Sequence, residues 1–560
     1  MPPPHEQELT AQEKHAAAKK RFEQASAEAW DKRRQFGEKQ STIDFTTGSP
    51  NIPPFSVALA GMAQCLKRPD ILNTYFNARG TFKIEDGLVP ECERLGIVPP
   101  EGKALSNKNF VFGNGITHLY CAATQSLLKP EDVVLVPVPT YGYFVEMAYL
   151  GNVRVETINL SAEDNFEINP EKLDTKIKEI NARLAKEPHK PEEPPKKISA
   201  FLHLNPHNPS GAVHNKKNVE AIADVLKRNN VRLVLDDLAY KDTEYALAKV
   251  PSEYAADAMA QAIEAGIRRD KIAYPMAAVP DMFEKTVTMT GLSKAYGLAG
   301  IRAGIAIGPE NLIKPMLAHI KTTSEFTSNL SQIALHWTFS PKHAEKRKAY
   351  NGGTANQFME KQFMLNLLCG GPDMDMDGEN LETWARRIIS LVEAGYLSEK
   401  KAEHNGELKG EVIRDSDAVR VVVPDMPSVT IGEDVPPTVD LEFCKRILKT
   451  GIKDVKPIGW PDSGFFQLFD FSAFRGKYYG NKCIKDGIDL YEALVTDCGV
   501  SILPGEMFAY NGPEMVGRIS YSLPEYKIVE GLFRIAKFTE KLKDHPYEMP
   551  EPTIKAGRML

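Results

Sequence analysis

Seven short apolar runs, separated by helix-prone segments, constrain the fold of this chain more than any other feature of its sequence. Runs this uniformly apolar suit strands that helices bury on both faces. The pattern predicts an α/β fold: a three-layer α/β/α large domain with a seven-stranded, mostly parallel sheet, plus a smaller α+β domain. Open α/β sheets bind ligands beyond the carboxyl ends of their strands. The candidate strands are 110–113, 133–136, 153–157, 199–204, 231–235, 286–290 and 304–308.

Composition narrows the class of function. A chain of 560 residues, 42% of them hydrophobic, can build a large core and more than one domain. Its formal net charge of −6 offers no basic field for nucleic acid or an anionic membrane, which favours a small-molecule partner. The seven cysteines form no Cys-x-x-Cys pair, so neither a metal site nor a disulfide framework is indicated. No signal-peptide or membrane-spanning apolar stretch is present, and we expect a cytoplasmic protein.

The glycine-rich stretch TGLSKAYGLAGIRAG, Thr290–Gly304, follows the sixth candidate strand. It presents Lys294 and Arg302 from one irregular loop, because its glycines suit a tight turn better than a helix. A lone Ser-Lys pair in a loop is most often a solvated surface charge. Residues elsewhere in the chain must decide between that interpretation and a ligand site.

The stretch resembles the cofactor-lysine segment of the fold-type I pyridoxal-phosphate enzymes, the class I/II aminotransferases of the aspartate aminotransferase family. The resemblance implies that Lys294 forms a Schiff base with pyridoxal 5′-phosphate, and that Ser293 and Arg302 bind the cofactor. Many members of the family have a serine three positions before the lysine, whereas this chain has Gly291. Ser293 or Thr290 is expected to compensate for that difference.

Two further segments suit the cofactor. GNGITHLYCAA, Gly113–Ala123, follows a strand and opens a helix, whose free N–H groups and positive dipole end can hold a phosphate. The resemblance assigns the phosphate to Gly115, Ile116 and Thr117. It also assigns Tyr141, in VPVPTYGYF, to stacking on the pyridine ring, although an aromatic after a strand is more often a core residue.

The polar groups for the cofactor ring come from two strand ends. The segment LVLDDLAY, Leu233–Tyr240, places two carboxylates at the end of a predicted buried strand. A buried carboxylate costs free energy unless it is paired, so this position indicates a partner. The resemblance to the Asp-x-Ala-Tyr motif implies that Asp237 holds the pyridine nitrogen protonated and that Tyr240 and Asn208 bind the phenolic oxygen. Asp236 is then structural. The Asn-Pro turn around Asn208 could also be a turn without a ligand.

Three residues are assigned beyond the cofactor. The resemblance implies that Gly48, in DFTTGSPNIPPF, approaches the substrate carboxylate, and that Arg518 binds that carboxylate together with Asn208. A planar guanidinium suits this task better than an ammonium group. Tyr75, five positions before a glycine, is implied to reach the cofactor phosphate of a neighbouring subunit, although an isolated tyrosine is usually a packing residue.

The resemblance implies a homodimer with shared active sites that moves an amino group between an L-amino acid and a 2-oxo acid. Lys294, Asp237 and Tyr240 are the catalytic residues. The same residues support a lyase or decarboxylase, because elimination, β-decarboxylation and ring formation begin with the same cofactor adduct. The substrate side chain is left open.

The predicted organisation has three parts. It comprises an N-terminal helical arm (1–40), a small domain (41–84 and 336–560) and a large cofactor domain (85–335). Three segments are expected to be insertions relative to compact family members, and the first, rich in Pro, Lys and Glu, is expected to be an exposed loop. They are about 183–197, 245–284 and 341–425.

Overall fold

A computed structural model of the chain describes nine ranges of residues. They are 10–35, 42–75, 79–80, 86–130, 132–188, 194–249, 264–370, 379–404 and 440–548. The strands are β1 Ile43–Asp44, β2 Phe110–Asn114, β3 Val133–Val138, β4 Arg154–Asn159, β5 Ile198–Leu204, β6 Leu233–Asp237, β7 Thr286–Gly291, β8 Ala303–Ile307, β9 Lys456–Ile458, β10 Phe466–Asp470, β11 Tyr478–Tyr479, β12 Lys482–Cys483, β13 Val500–Ser501, β14 Leu503–Pro504 and β15 Val516–Ser520.

The α-helices are numbered in chain order in the same way. They are α1 Ala11–Gln35, α2 Ser56–Leu66, α3 Pro69–Leu72, α4 Leu88–Arg94, α5 Ile116–Leu127, α6 Tyr143–Leu150, α7 Pro170–Leu184, α8 Lys216–Arg228, α9 Glu310–Thr323, α10 Asn329–Phe339, α11 Ala344–Leu368, α12 Glu379–His404, α13 Leu441–Thr450, α14 Gly487–Cys498 and α15 Glu525–Lys541. No helix in these described ranges is both long and apolar enough to cross a bilayer.

The seven predicted strands form one sheet, in the order β2-β8-β7-β6-β5-β3-β4. Strands β4, β3, β5, β6 and β7 run parallel, whereas β8 is antiparallel to both of its neighbours. The predicted seven-stranded, mostly parallel sheet is confirmed. Because β6 and β7 are adjacent and parallel, the ends that carry Asp237 and the lysine loop meet at one edge of the sheet.

Helices cover both faces of this sheet. In β3, Val134 and Val136 point into a core shared with α5, α6 and α9. Their neighbours Val133 and Leu135 point into a second core, shared with α7 and α8. This alternation is the period-2 side-chain geometry of a strand, and it gives the three layers that the apolar runs predicted.

A second, antiparallel sheet has the order β14-β15-β10-β9. Its core is shared with helices α11, α12, α13 and α15. The two-residue strand β1 pairs in parallel with β13, which brings the segment after residue 44 beside β15. The division of the chain at residues 85 and 335 stays a prediction.

Helix α1 packs on its own chain. The Ser26 hydroxyl lies 2.9 Å from the Tyr491 hydroxyl, and the Arg21 guanidinium lies 2.7 Å from Asp489 on α14. A helix therefore occurs where the arm was expected.

The three expected insertions contain both helix and undescribed chain. Residues 183 and 184 of the first belong to α7 and not to an exposed loop, because Leu184 packs in the core between α7 and the sheet. Residues 189–193, 250–263, 371–378 and 405–439 lie outside the described residues.

Candidate active site

A cavity of about 130 Å³ opens at the edge of the large sheet where β5, β6 and β7 end. Most of the predicted cofactor residues meet there, although they come from distant parts of the chain. Those that line it are Ile116, Thr117, Tyr141, Asn208, Asp237, Tyr240, Ser293, Lys294 and Arg302.

Lys294 lies in the loop after β7, with its amine turned toward the cavity. Its Nζ donates a hydrogen bond to the Gly48 carbonyl oxygen at 2.7 Å, and lies 5.5 Å from the centre of the Tyr240 ring. Burial, with the positive charges of Arg518 and Arg302, lowers the pKa of Lys294 to about 8. About a tenth of this amine is therefore neutral and nucleophilic at pH 7, far more than for an ordinary lysine.

Asp237 ends strand β6 and is almost fully buried. Its Oδ1 accepts a hydrogen bond from the Ala239 backbone N–H at 2.7 Å. Burial and the nearby Asp236 raise the pKa of Asp237 to about 7, although Lys294 acts in the opposite direction. A cation placed in the cavity would relieve this penalty, because it would pair with the carboxylate.

Asp236 points to the opposite face of the sheet. It accepts a hydrogen bond from the Met276 backbone N–H at 2.9 Å, and its Oδ1 lies 2.8 Å from His203 Nδ1. Both side chains of this pair are fully buried. The carboxylate is thus tied to β5 and to the segment before β7, which agrees with a structural role.

Helix α5 begins at the cavity with an open N-terminus. Gly115 is its N-cap, has a left-handed φ of 81° and supplies no side-chain cap. A Cβ built at Gly115 would lie 2.6 Å from an Arg302 guanidinium nitrogen, so only glycine lets the arginine come this close. Free N–H groups and a guanidinium converge on one point, which is the donor arrangement that a phosphate needs.

Gly291 and Gly304 are paired across β7 and β8. A Cβ at Gly291 would lie 2.5 Å from the Ala303 carbonyl oxygen, so the backbone pairing leaves no room for the serine found in many family members. Of the two residues expected to compensate, Ser293 lines the large cavity. Thr290 instead lines a separate small cavity of about 20 Å³.

Arg518, on β15, is buried beside this site. Its guanidinium donates to Asn208 Oδ1 at 3.1 Å and to the Thr46 carbonyl oxygen at 2.7 Å, while Nε has no hydrogen-bond partner. The guanidinium carbon lies 4.3 Å from the Phe466 ring centre and 5.1 Å from that of Phe508. Burial lowers the pKa of Arg518 to about 10, so it remains a cation at neutral pH.

Tyr141 and Tyr75 differ in their surroundings. Tyr141 packs edge to face on Phe144 at 5.5 Å, and burial raises the pKa of its hydroxyl. Tyr75 is 78% exposed and touches Phe326, so it contributes nothing to the cavity of its own chain. Its implied action on a neighbouring subunit stays a prediction.

Several residues that shape the site carry no signal in the sequence. Phe466 and Phe508 both contact the Arg518 guanidinium, but in an apolar strand or turn they cannot be distinguished from ordinary core aromatics. Thr46 acts through its backbone carbonyl, which any residue type would supply. The segment of Gly48 offered the one available hint, because its Pro/Gly composition predicts an extended chain.

Comparisons with known proteins identify the family of the chain. The family model described as aminotransferase class I and II matches residues 42–361. An aspartate aminotransferase of Pinus pinaster is 26% identical over 294 residues, 52% of this chain and 49% of that protein. A glutamate-pyruvate aminotransferase of Haemophilus influenzae is 28% identical over 242 residues, 43% of this chain and 48% of that protein. The chain thus spans about half the length of these curated relatives.

Solved structures extend the likeness in fold over almost the whole chain. The crystal structure of the aspartate aminotransferase from Rhizobium meliloti has a TM-score of 0.62 and 18% identity, covering 93% of this chain and 96% of that one. The aromatic aminotransferase from Pyrococcus horikoshii has a TM-score of 0.59 and 15% identity, covering 91% and 98%. The three-layer architecture is therefore that of this group of enzymes.

Proposed function

Because the chain belongs to the class I and II aminotransferases, we propose that it is a pyridoxal-phosphate-dependent aminotransferase acting on an L-amino acid and a 2-oxo acid. One observation carries the proposal. The partly buried amine of Lys294 and the carboxylate of Asp237 face one cavity, beside the open N-terminus of α5 and Arg302. An amine, an acid and an anion cradle are the three features that a phosphorylated pyridine aldehyde requires.

The residues present fit that cofactor. Arg302 and the backbone N–H groups after Gly115 would hold the phosphate, in the space that a Cβ at 115 would fill. Asp237 would pair with the pyridine nitrogen, and Lys294 would hold the group covalently. When bound, pyridoxal phosphate supplies an electron sink that stabilises negative charge at the substrate Cα.

Lys294 has the properties of a proton carrier at Nζ. Its pKa of about 8 lets the amine accept a proton near neutral pH and release it again. The Gly48 carbonyl, 2.7 Å away, accepts a hydrogen bond from Nζ and fixes its direction. Burial, and then the charges of Arg518 and Arg302, lower the pKa of this amine, because each disfavours a further cation at this position.

Arg518 would bind the substrate α-carboxylate. Its charge is buried without an acid partner at hydrogen-bond distance among the described residues, and its Nε is unpaired. A buried cation in this state gains from an incoming anion. Asn208 and the Thr46 carbonyl hold the guanidinium plane in place, so that the fork is already oriented when the carboxylate arrives.

A panel of amino acids with 2-oxoglutarate tests the proposal. We expect glutamate and the matching 2-oxo acid to form in equal amounts. Formation of pyruvate, ammonia or carbon dioxide without glutamate would instead identify a lyase or decarboxylase. Lys294→Ala should abolish both activity and borohydride trapping of the cofactor, while Lys314→Ala, an exposed lysine on α9, should leave both unchanged.

We also propose a homodimer whose subunits share the two active sites. The exposed side chains of Leu66, at the end of α2, of Leu72, at the end of α3, and of Tyr75 support this arrangement, because they leave apolar surface without cover. Sedimentation should give twice the chain mass. Mixing inactive Lys294→Ala and Tyr75→Ala subunits should restore activity, since each hybrid would contain one intact site; no restoration would contradict shared sites.

A cytoplasmic location is proposed on the state of the cysteines. All seven thiols are free, and Cys65, Cys92, Cys369, Cys444 and Cys498 are buried. Free thiols are typical of a reducing compartment. Cell fractionation would test this assignment, and recovery outside the cytoplasm would refute it.

A further inference from the structure

The segment Asp44–Phe55, which carries Gly48, is held at its two ends by different means. At its start, Phe45 exchanges backbone hydrogen bonds with strands β13 and β15 at 2.9 and 3.0 Å. Toward its end stand Pro53 and Pro54, which have no N–H group to donate. A continuous strand ladder therefore cannot fix the second half of the segment over the cavity.

Tyr350, on α11, contacts the segment at this point. Its hydroxyl donates a hydrogen bond to the Pro53 carbonyl oxygen at 2.7 Å. Its ring centre lies 5.0 Å from that of Phe55 and 6.2 Å from that of Tyr296, and the Tyr296 ring is within 10° of parallel. The helix thus supplies both a donor and an aromatic surface for the end of the segment.

Tyr296 connects the same cluster to the lysine loop. It lies two positions after Lys294, is 1% exposed, and its carbonyl accepts a hydrogen bond from the Phe55 N–H at 3.0 Å. Its hydroxyl donates to Asp242 Oδ2 at 2.7 Å, and Asp242 lies two positions after Tyr240. The loops that carry Gly48, Lys294 and Tyr240 are therefore joined through one tyrosine.

Asp242 is a stable anchor for this connection. Its other oxygen accepts from the Lys241 ammonium at 2.9 Å. Burial alone would raise the pKa of Asp242, but the charge of Lys241 and the hydrogen bond from Tyr296 hold it below its ordinary value. The carboxylate remains an acceptor for the Tyr296 hydroxyl across the neutral pH range.

We propose that Tyr350 and Tyr296 are positioning residues that fasten the Asp44–Phe55 segment over Lys294 and so hold the Gly48 carbonyl against the lysine amine. Neither tyrosine lines the cavity, so both act through other residues: Tyr350 through the Pro53 carbonyl, and Tyr296 through the Asp242 carboxylate and the Phe55 N–H. The expected effect on turnover rests on the proposed function, whereas the expected effect on the docking of the segment does not. The docking of the segment can be followed in the cofactor-free protein.

Single phenylalanine variants test it, because each removes one hydroxyl and keeps the ring. Tyr479→Phe is the matched control: its hydroxyl, like that of Tyr296, donates to a carboxylate at 2.7 Å, but the acceptor is Asp497 on α14. In Tyr350→Phe we expect hydrogen exchange of the amides in 46–55, and acylation of Lys294 at pH 8, to accelerate about two- to twelvefold, the range for one hydrogen bond. In Tyr479→Phe both rates should match those of the wild type.

Tyr296→Phe removes a different hydrogen bond of the same cluster, the one to Asp242, and should accelerate the same two rates. If both variants exchange and acylate like the wild type, or if Tyr479→Phe changes these rates equally, the proposal is overturned. In the loaded enzyme, the KM for the amino donor should rise more than kcat falls. If the wild type shows no transamination, the proposed function is refuted. The hydrogen-exchange rates would still show whether the two tyrosines hold the segment in place.

Discussion

Gly304 offers the most direct test of how the fold shapes the anion cradle. An alanine there would place its Cβ 2.7 Å from the carbonyl carbon of Gly115 and 3.0 Å from the Ile116 nitrogen. Both are backbone atoms, so no side-chain rotation can relieve the contact. Ordinary contact begins at 3.4 Å, so the start of α5 must retreat from β8 by about 0.7 Å.

This displacement has two measurable costs. Overpacking of this kind destabilises a protein by about 1–3 kcal/mol. The same movement shifts the N–H groups proposed to hold the phosphate, so we expect the affinity for pyridoxal phosphate to fall at least about tenfold, or 1.4 kcal/mol. Thermal unfolding of the cofactor-free protein and a fluorescence titration with pyridoxal phosphate measure the two effects of Gly304→Ala.

Gly300→Ala, in the turn just before β8, is the control. A Cβ at Gly300 would meet no atom within 4 Å, so its effect on stability should stay within about 0.5 kcal/mol. The reasoning fails if Gly304→Ala binds the cofactor within twofold of Gly300→Ala. It also fails if the two variants lose stability equally.

Three further substitutions probe charged groups. Arg518→Lys replaces a planar fork with a point charge, and steady-state kinetics should show kcat/KM for amino donors reduced about 10- to 150-fold, the equivalent of one charged hydrogen bond of about 1.5–3 kcal/mol; an unchanged value would exclude Arg518 from substrate binding. Because the pKa of Asp237 is raised to about 7, its ionisation costs stability as pH rises from about 4 to 7. Asp237→Asn should therefore stabilise the cofactor-free protein by about 1–4 kcal/mol above pH 7 and by less at pH 5, as urea titrations at the two pH values would show; an equal gain at both would refute the shift. Arg268→Gln removes both 2.6 Å hydrogen bonds to the buried Asp462 carboxylate and should cost about 1–3 kcal/mol in thermal unfolding, with a smaller loss in an Asp462→Asn background.

The large sheet could be predicted from the sequence because most of its strands are buried and apolar on both faces. The edge strand β4, Arg154–Asn159, is more polar, but the run at 153–157 that predicted it contains two buried residues, Val153 and Val155. The direction of β8 could not be predicted, since Ala303–Ile307 is apolar whichever way it runs. Only its pairing between β2 and β7 decides the direction.

The candidate site could be predicted where a charged side chain occupies a position that the sequence predicts to be buried. A carboxylate such as Asp237 at a strand end, or a lysine in a glycine-rich loop, stands out against an apolar background. The contribution of Tyr350 could not be predicted in this way. It lies on α11, far from the cavity residues in sequence, and its partner is a backbone carbonyl that leaves no pattern in the sequence.

Asp236 and Asp237 show how the sheet turns one residue type into two kinds of group. Successive side chains of β6 point to opposite faces, so the two carboxylates meet different surroundings. Asp236 is already satisfied by the Met276 N–H and by His203. Asp237 has the Ala239 N–H and a raised pKa, and it faces the cavity. Of the two, Asp237 alone gains from a cation brought in by a ligand. Asp237→Asn should therefore change the affinity for the cofactor, whereas Asp236→Asn should chiefly change the stability of the protein.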